Sequence, residues 1–130
     1  MKLKIITHER TVFEGDADEL VIQAKSGQMG ILKDHVPVTT TLDVGVTKAV
    51  YNGESKLFAT MGGIFQFKDN VATVLTDVCE ADKDIDVTRA NEAKKRAEAR
   101  LADLTADIDA QRAQAALARS LARLKAAMNK

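Results

Sequence analysis

Apolar positions along this chain keep two different rhythms. Up to Val78 they fall in short runs with a period near two, cut by turn residues. Leu3, Ile5 and Phe13 alternate with polar neighbours, and Leu20, Ile22 and Ala24 share one side of a run whose other side carries Glu19 and Gln23. Ser26-Gly27 and Gly30 mark a loop before Ile31-Leu32. Residues 46–51 run into Asn52-Gly53, a strong hairpin-turn pair, and residues 56–61 return. Residues 64–67, a turn at Asp69-Asn70 and residues 71–78 give another hairpin. No helical pattern separates these runs, so they predict an antiparallel β-sandwich or barrel rather than a parallel α/β sheet.

From residue 85 the period lengthens. Asp86 is placed to cap a helix, with Ile85 and Ala90 positioned as a hydrophobic staple around it. Ala90, Ala93, Ala97, Leu101 and Leu104 then keep to one helical face. The pattern Ile-Asp-x-x-Arg-Ala occurs at 85–90 and again at 108–113, which marks a second helix start. Leu117, Leu121, Leu124 and Met128 form a stripe on that second helix. The two helices, joined near 105–107, are expected to fold back as an antiparallel hairpin, each about 30 Å long. The expectation is a β-sandwich over 1–84 followed by a two-helix hairpin over 85–130. Alanine-rich faces bury little area, so such a hairpin is weakly held and able to move as a unit.

Composition sharpens the division. All 7 glycines, the single proline and the five aromatic residues precede Val71. The chain balances 19 basic against 19 acidic residues, which gives no general affinity for nucleic acid or an anionic membrane surface. Residues 1–80 hold 8 Lys+Arg against 11 Asp+Glu, and residues 81–130 hold 11 against 8. The helical part is therefore the part suited to acidic partners. A lone cysteine, Cys79, fits a reducing compartment and reads as a small core hydrophobe. No charged-then-apolar leader opens the chain, and no apolar run approaches the roughly 20 residues of a membrane span, so no direct membrane insertion is expected.

Three motifs in order carry a resemblance. Residues 25–38, Lys-Ser-Gly-Gln-Met-Gly-Ile-Leu-Lys-Asp-His-Val-Pro-Val, are similar to the Gly-x-x-Gly-Ile-Leu…His-x-Pro loop of the epsilon subunits of bacterial and plastid F-type ATP synthases. Gly62-Gly63 followed by Asn70-Val71 resembles that family's Gly-Gly…Asn-Val strand pair, and residues 84–90 resemble its helix-opening motif. The match runs over almost the whole chain. It departs at Lys33-Asp34, where many members carry Pro-Gly.

The resemblance implies a non-catalytic central-stalk subunit. Its sandwich would dock on the gamma subunit and the c-ring, with Gln28, Met29, Ile31 and His35 matching the c-ring-facing loop. Its hairpin would switch between a folded form and an extended form that meets the catalytic alpha and beta subunits and restrains ATP hydrolysis. The protein would lie on the cytoplasmic or stromal face of the membrane, held there by the complex. In some relatives the hairpin binds one regulatory ATP; the matching positions here are Glu80, Ile85, Asp86, Arg89, Ala90, Arg96, Arg119 and Arg123. No other cofactor, and no metal, is implied.

The residues themselves leave alternatives open. For Ile31 and Leu32, an exposed contact patch and an inward-folded turn are equally consistent with the pattern. Arg112, Arg119 and Arg123 line one side of the second helix, either as a solvated face or at a junction with the first helix, depending on which face packs. Gly62-Gly63 lacks any Gly-x-x-x-x-Gly-Lys context and reads as a bulge or a close backbone approach. His35 has no second ligand at metal spacing and reads as structural. Two rivals remain: a free-standing adaptor with helical arms, and a small hydrolase built on His35 with Asp34 or Cys79.

Overall fold

Two long strands organise the molecule. β5 (Val38–Tyr51) and β6 (Glu54–Lys68) pair antiparallel from Val38↔Phe67 to Tyr51↔Glu54. Asn52 and Gly53, at φ 52° and 77°, make the turn, a primed hairpin whose twist matches that of its strands. The computed structural model describes residues 1–103 and 107–128, the last including 107–109 as backbone. The other strands are β1 (Lys2–Ile6), β2 (Thr11–Asp16), β3 (Glu19–Ala24), β4 (Gly27–Leu32), β7 (Val71–Leu75) and β8 (Cys79–Ala81). They join in the order β2-β1-β7-β6-β5-β3-β4, with β8 also on β6.

The fold is the expected β-sandwich followed by two helices, with one ladder outside the antiparallel pattern. β1 and β7 run parallel, from Lys2↔Val71 to Ile6↔Leu75. Almost the whole sandwich lies between them in sequence, so the pair needs no crossover helix. The strand at 38–45 was hidden in the sequence by its threonines and Asp43. The runs at 56–61 and 64–67 are halves of one strand.

Both long strands exchange faces midway. On β6, Phe58 and Thr60 point into the core, and further on Phe65 and Phe67 do. On β5 the inward positions change from Leu42 to Thr47 and Ala49. A regular strand keeps one parity, so the switch needs a local break. It comes where Asp43 and Gly62 leave the ladder unpaired; the register resumes without an inserted residue. Gly62 and Gly63 take φ of 79° and 120°, and a Cβ on Gly63 would lie 2.0 Å from the Leu75 carbonyl oxygen. The glycine pair is thus a close backbone approach, one of the two alternatives its sequence allowed.

The main core gathers Leu3, Ile5, Leu20, Ile22, Phe58, Phe65, Phe67 and Val74 between the layers. The Thr47 and Thr60 hydroxyls, buried within it, lie 3.1 Å apart, and Thr60 also donates to the Gly45 carbonyl at 3.3 Å. Burying hydroxyls is tolerable because each finds a partner. Cys79 lies in the same core, as expected of a small hydrophobe. Burial pushes its thiol up from 9.0 to about 12, against the opposing charge of Arg10 and with a smaller push from Glu80. It is therefore a thiol and not a thiolate, and a poor nucleophile.

The outer face of β5 and β6 carries the hairpin. A 3₁₀ turn at Asp82–Asp84 leads into α1 (Val87–Ala102), which is followed by α2 (Asp107–Ala127). The proposed join at 105–107 lies outside the described residues except for Asp107, as do Leu104 and the side chains of Ile108 and Asp109. α2 is the middle layer. Ala113 and Ser120, seven apart, are buried on one side, as are Ala90 and Ala97 on α1, where the two helices pack. Ala122 and Ala126, turned about 180° from Ala113 by helical angle, pack on Ala59 and Ile85 beside Val44, Val46, Leu57 and Met61. The leucine stripe is not the sheet contact: Leu121 is 46 % and Met128 84 % exposed. The hairpin is held down by alanines, each burying about one methyl group, worth about 0.8 kcal/mol.

The close approach at Gly63 gives a direct test. Gly63→Ala should lower stability by about 3 kcal/mol, since strain at positive φ adds to a backbone clash. Gly53→Ala, at positive φ with open space around it, should cost about 1 kcal/mol. Urea unfolding of both variants measures the difference; equal costs would mean that no backbone contact fixes the kink.

Candidate functional site

Four elements converge where the hairpin meets the end of the sandwich. β8 brings Glu80, the 3₁₀ turn brings Asp84, α1 brings Arg89, Ala90, Ala93 and Arg96, and α2 brings Arg123. With Asp86 they line a cleft of about 420 Å³. The sequence places these groups for simple reasons. Asp86 stands at the N-cap with extended backbone, and its Oδ1 accepts from the Arg89 N–H at 3.0 Å. Its carbonyl accepts from the Ala90 N–H at 3.0 Å, which starts the helix. Arg89, Ala93 and Arg96 follow at spacings of four and three, so they share a face. The two alanines between the arginines leave an open floor.

Arg123 crosses to the sandwich. Its Nε donates to Glu80 Oε1 at 3.0 Å, and its Nη2 forms an ion pair with the same oxygen at 3.0 Å. Both side chains are about three-quarters withdrawn from water, at 28 % and 30 % exposed. The partners are 43 residues apart in sequence, and among the described residues this is the ion pair that joins hairpin to sandwich. Counted by charge, the lining holds three carboxylates and three guanidiniums. Arg89 and Arg96 are exposed and free to turn toward an anion. Guanidinium forks from two helices are suited to a polyphosphate.

Of the eight positions that the resemblance implicated, six line this cleft: Glu80, Asp86, Arg89, Ala90, Arg96 and Arg123. Ile85 does not; it is buried in the seam with Ala122, Ala126 and Ala127. Arg119 is exposed one turn before Arg123 and is not among the lining residues. The open question of the packing face resolves in a way neither alternative described. Ala122 and Ala126 face the sheet rather than α1, Ala115 is exposed, and Arg123 still sits at the junction.

The loop after β4 corrects one expectation. Ile31 was named as a contact residue, but it is 0 % exposed and belongs to the main core. Strand alternation turns it inward and turns Leu32 outward, 59 % exposed. Met29 is half-buried against the core, and Gln28 is exposed. His35 is half-buried, edge-on to the Phe67 ring with centroids 5.9 Å apart. Its Nδ1 lies 2.7 Å from the Val36 carbonyl, to which it donates. Asp34, at φ 64°, donates its N–H to Asn70 Oδ1 at 3.1 Å, which ties the loop to the β6–β7 turn. Leu32 is thus the outward member of the pair that the pattern left open, and Val36, 70 % exposed, is the apolar group at this end that sequence reasoning missed. Among the described residues no group of His, Cys, Asp and Glu is arranged to hold a metal, and no helix is long and apolar enough to cross a membrane.

A β-sandwich bearing a docked two-helix hairpin, with charged groups of both units facing one cleft, defines a small two-part binding subunit. Comparison with known proteins places this fold in a family. Residues 1–82 match the family model "ATP synthase, Delta/Epsilon chain, beta-sandwich domain", and residues 83–128 match its "long alpha-helix domain". The ATP synthase epsilon chain of Symbiobacterium thermophilum is 48 % identical over 128 residues, covering 98 % of this chain and 92 % of that one. That of Clostridium kluyveri is 43 % identical over 125 residues, covering 95 % and 94 %. Among solved structures, a chain of the Euglena gracilis mitochondrial ATP synthase OSCP/F1/c-ring assembly superposes with a TM-score of 0.84 at 20 % identity, covering 97 % of this chain and 79 % of that one. A chain of the Tetrahymena thermophila mitochondrial ATP synthase central stalk/c-ring gives 0.65 at 15 %, covering 98 % and 96 %. These two likenesses concern the fold. The chain belongs to the ATP synthase delta/epsilon family, among the epsilon chains, which are non-catalytic subunits of the complex.

The cap that builds the cleft's α1 wall is testable alone. Asp86→Ala should cost about 1 kcal/mol and raise amide exchange in the first turn of α1, leaving the sandwich unchanged. Unaltered exchange at Arg89 would mean that the tertiary contacts of Ile85 and Ala90 fix the helix start without the cap.

Proposed function

We propose that this chain works in the central stalk of an F-type ATP synthase, where it couples rotor to membrane ring and restrains ATP hydrolysis. The sandwich, residues 1–84, binds the gamma subunit and the c-ring; the loop at 28–36 presents Gln28, Leu32, His35 and Val36 toward the ring. The hairpin, residues 85–130, is the moving part. Detached from the sheet, its basic helices meet acidic surface on the catalytic alpha and beta subunits. The complex holds the chain at the cytoplasmic or stromal face of its membrane.

The observation that carries the regulatory reading is the cleft at the joint. Glu80, Asp86, Arg89, Arg96 and Arg123 come from three elements and meet only while the hairpin is folded down. A ligand held there binds the folded form and not the extended one, so it shifts the balance by its own binding free energy. The cleft's guanidiniums suit ATP. Phosphates would lie on Arg89, Arg96 and Arg123, with Arg119 one turn away completing the set. The floor of Ala90 and Ala93 leaves room for the base. The alanine seam explains how a single ligand can matter, because the folded form has a margin of only a few kcal/mol.

ATP should raise the melting temperature of the isolated chain, and Arg89→Ala should abolish the shift while preserving the fold by circular dichroism. If millimolar ATP gives no shift, the arginines are a solvated or partner-facing stripe. In the assembled enzyme, removal of residues 87–130 should raise ATP hydrolysis and leave synthesis largely intact. Unchanged hydrolysis would remove the regulatory role and leave the docking role.

A further inference from the structure

The cleft is already occupied by part of the protein. Glu80 places a carboxylate oxygen 3.0 Å from both Nε and Nη2 of Arg123, where an oxyanion of a ligand would have to sit. We infer that Glu80 is an internal counter-ion of this site: it competes with bound phosphate for Arg123 and, without ligand, latches the hairpin to the sandwich.

Three observations meet here. First, the pair spans the two units: Glu80 is on β8, which hydrogen-bonds to β6, and Arg123 is on α2. Breaking it frees the helix edge nearest the cleft. Second, the seam beside it is built of Ala122, Ala126 and Ala127, which bury little, so one partly desolvated ion pair is a sizeable share of what keeps α2 down. Third, the cleft's charges balance only with Glu80 counted. Asp84 and Asp86 line it with Arg89 and Arg96, and Glu80 pairs with Arg123. A polyphosphate entering this neutral site must draw Arg123 away from a partner it already has. The ligand then takes over the latch, because its phosphates bridge α1 and α2 while Glu80 is released. Glu80 therefore acts oppositely on two quantities. It stabilises the docked hairpin without ligand, and it weakens the site's affinity for anions. A residue that served only the fold would act on both in the same direction. So would one that accepted a hydrogen bond from the ligand's base.

This inference rests on the proposed anion site, and its test separates the two. Full-length protein and Glu80→Gln are titrated calorimetrically with ATP and with inorganic tripolyphosphate, which has no base. Docking without ligand is read from the rate of tryptic cleavage after Arg112 and Arg119, which opens with α2. Glu80→Gln should tighten tripolyphosphate binding by about tenfold, as a competing charge is removed at short range. It should also speed cleavage several-fold in the absence of ligand, and the excess should vanish at saturating tripolyphosphate. Arg123→Ala should speed cleavage too but weaken binding. Unchanged or weaker tripolyphosphate binding in Glu80→Gln, with the wild type binding normally, overturns the counter-ion role and leaves the ATP site standing. Weaker ATP binding with unchanged tripolyphosphate binding assigns Glu80 to the base and also overturns it. If the wild type binds neither probe, the anion site itself fails and this inference fails with it.

Discussion

The β5–β6 pair is buried on both of its sides, and this double burial governs everything else in the molecule. One side supplies Phe58, Phe65, Phe67 and Leu42 to the main core. The other supplies Val44, Val46, Leu57, Ala59 and Met61 to the hairpin. A strand pair with a fixed parity cannot serve the core along its full length while bending from one layer to the next. The break at Asp43 and Gly62, made possible by glycines at positive φ, lets it do so. The kink therefore shapes the sandwich and also the shelf on which α2 lies.

The two sides are unequal, and the proposed regulation rests on that inequality. The inner side is filled by phenylalanine, leucine and isoleucine, which bury large areas. The outer contact is mostly alanine against alanine and valine. A unit held by the second kind of contact can leave while the first kind stays intact. The polar link between Glu80 and Arg123 and the charged cleft around it then lie where a modest interaction has the most leverage. A strong apolar seam would have made the same cleft irrelevant to the position of the hairpin, since no single ligand could alter the balance.

Much of this was legible in the chain. Alternation at Leu20, Ile22 and Ala24 gave a buried strand face, Asn52-Gly53 gave its turn, and Asp86 gave the start of α1, because each is a local signal. What stayed hidden was not local. Ile31 and Leu32 are neighbours of equal hydropathy, and only the pairing of β4 with β3 decides which one faces in. The packing face of α2 could not be read because alanines lie nearly all round it, at Ala110, Ala113, Ala116, Ala118, Ala122 and Ala127. The site residues could be named only through resemblance to a family, since Glu80 and Arg123 have no sequence relation that periodicity can detect. That six of the eight line one cleft is a fact of the fold; of the other two, Ile85 lies in the seam beside it and Arg119 one turn from Arg123.

The central claim is that hairpin and sandwich are held by unequal forces and open separately. Native-state hydrogen exchange of the isolated chain across low denaturant concentrations measures this directly. The account predicts that the amides of α1 and α2 exchange through a shared opening whose free energy lies well below that of β5 and β6. The denaturant dependence of that opening should correspond to exposure of the hairpin alone. If helix and strand amides instead merge into one isotherm at the global unfolding free energy, the hairpin is an integral part of the core and the account of a releasable arm is contradicted.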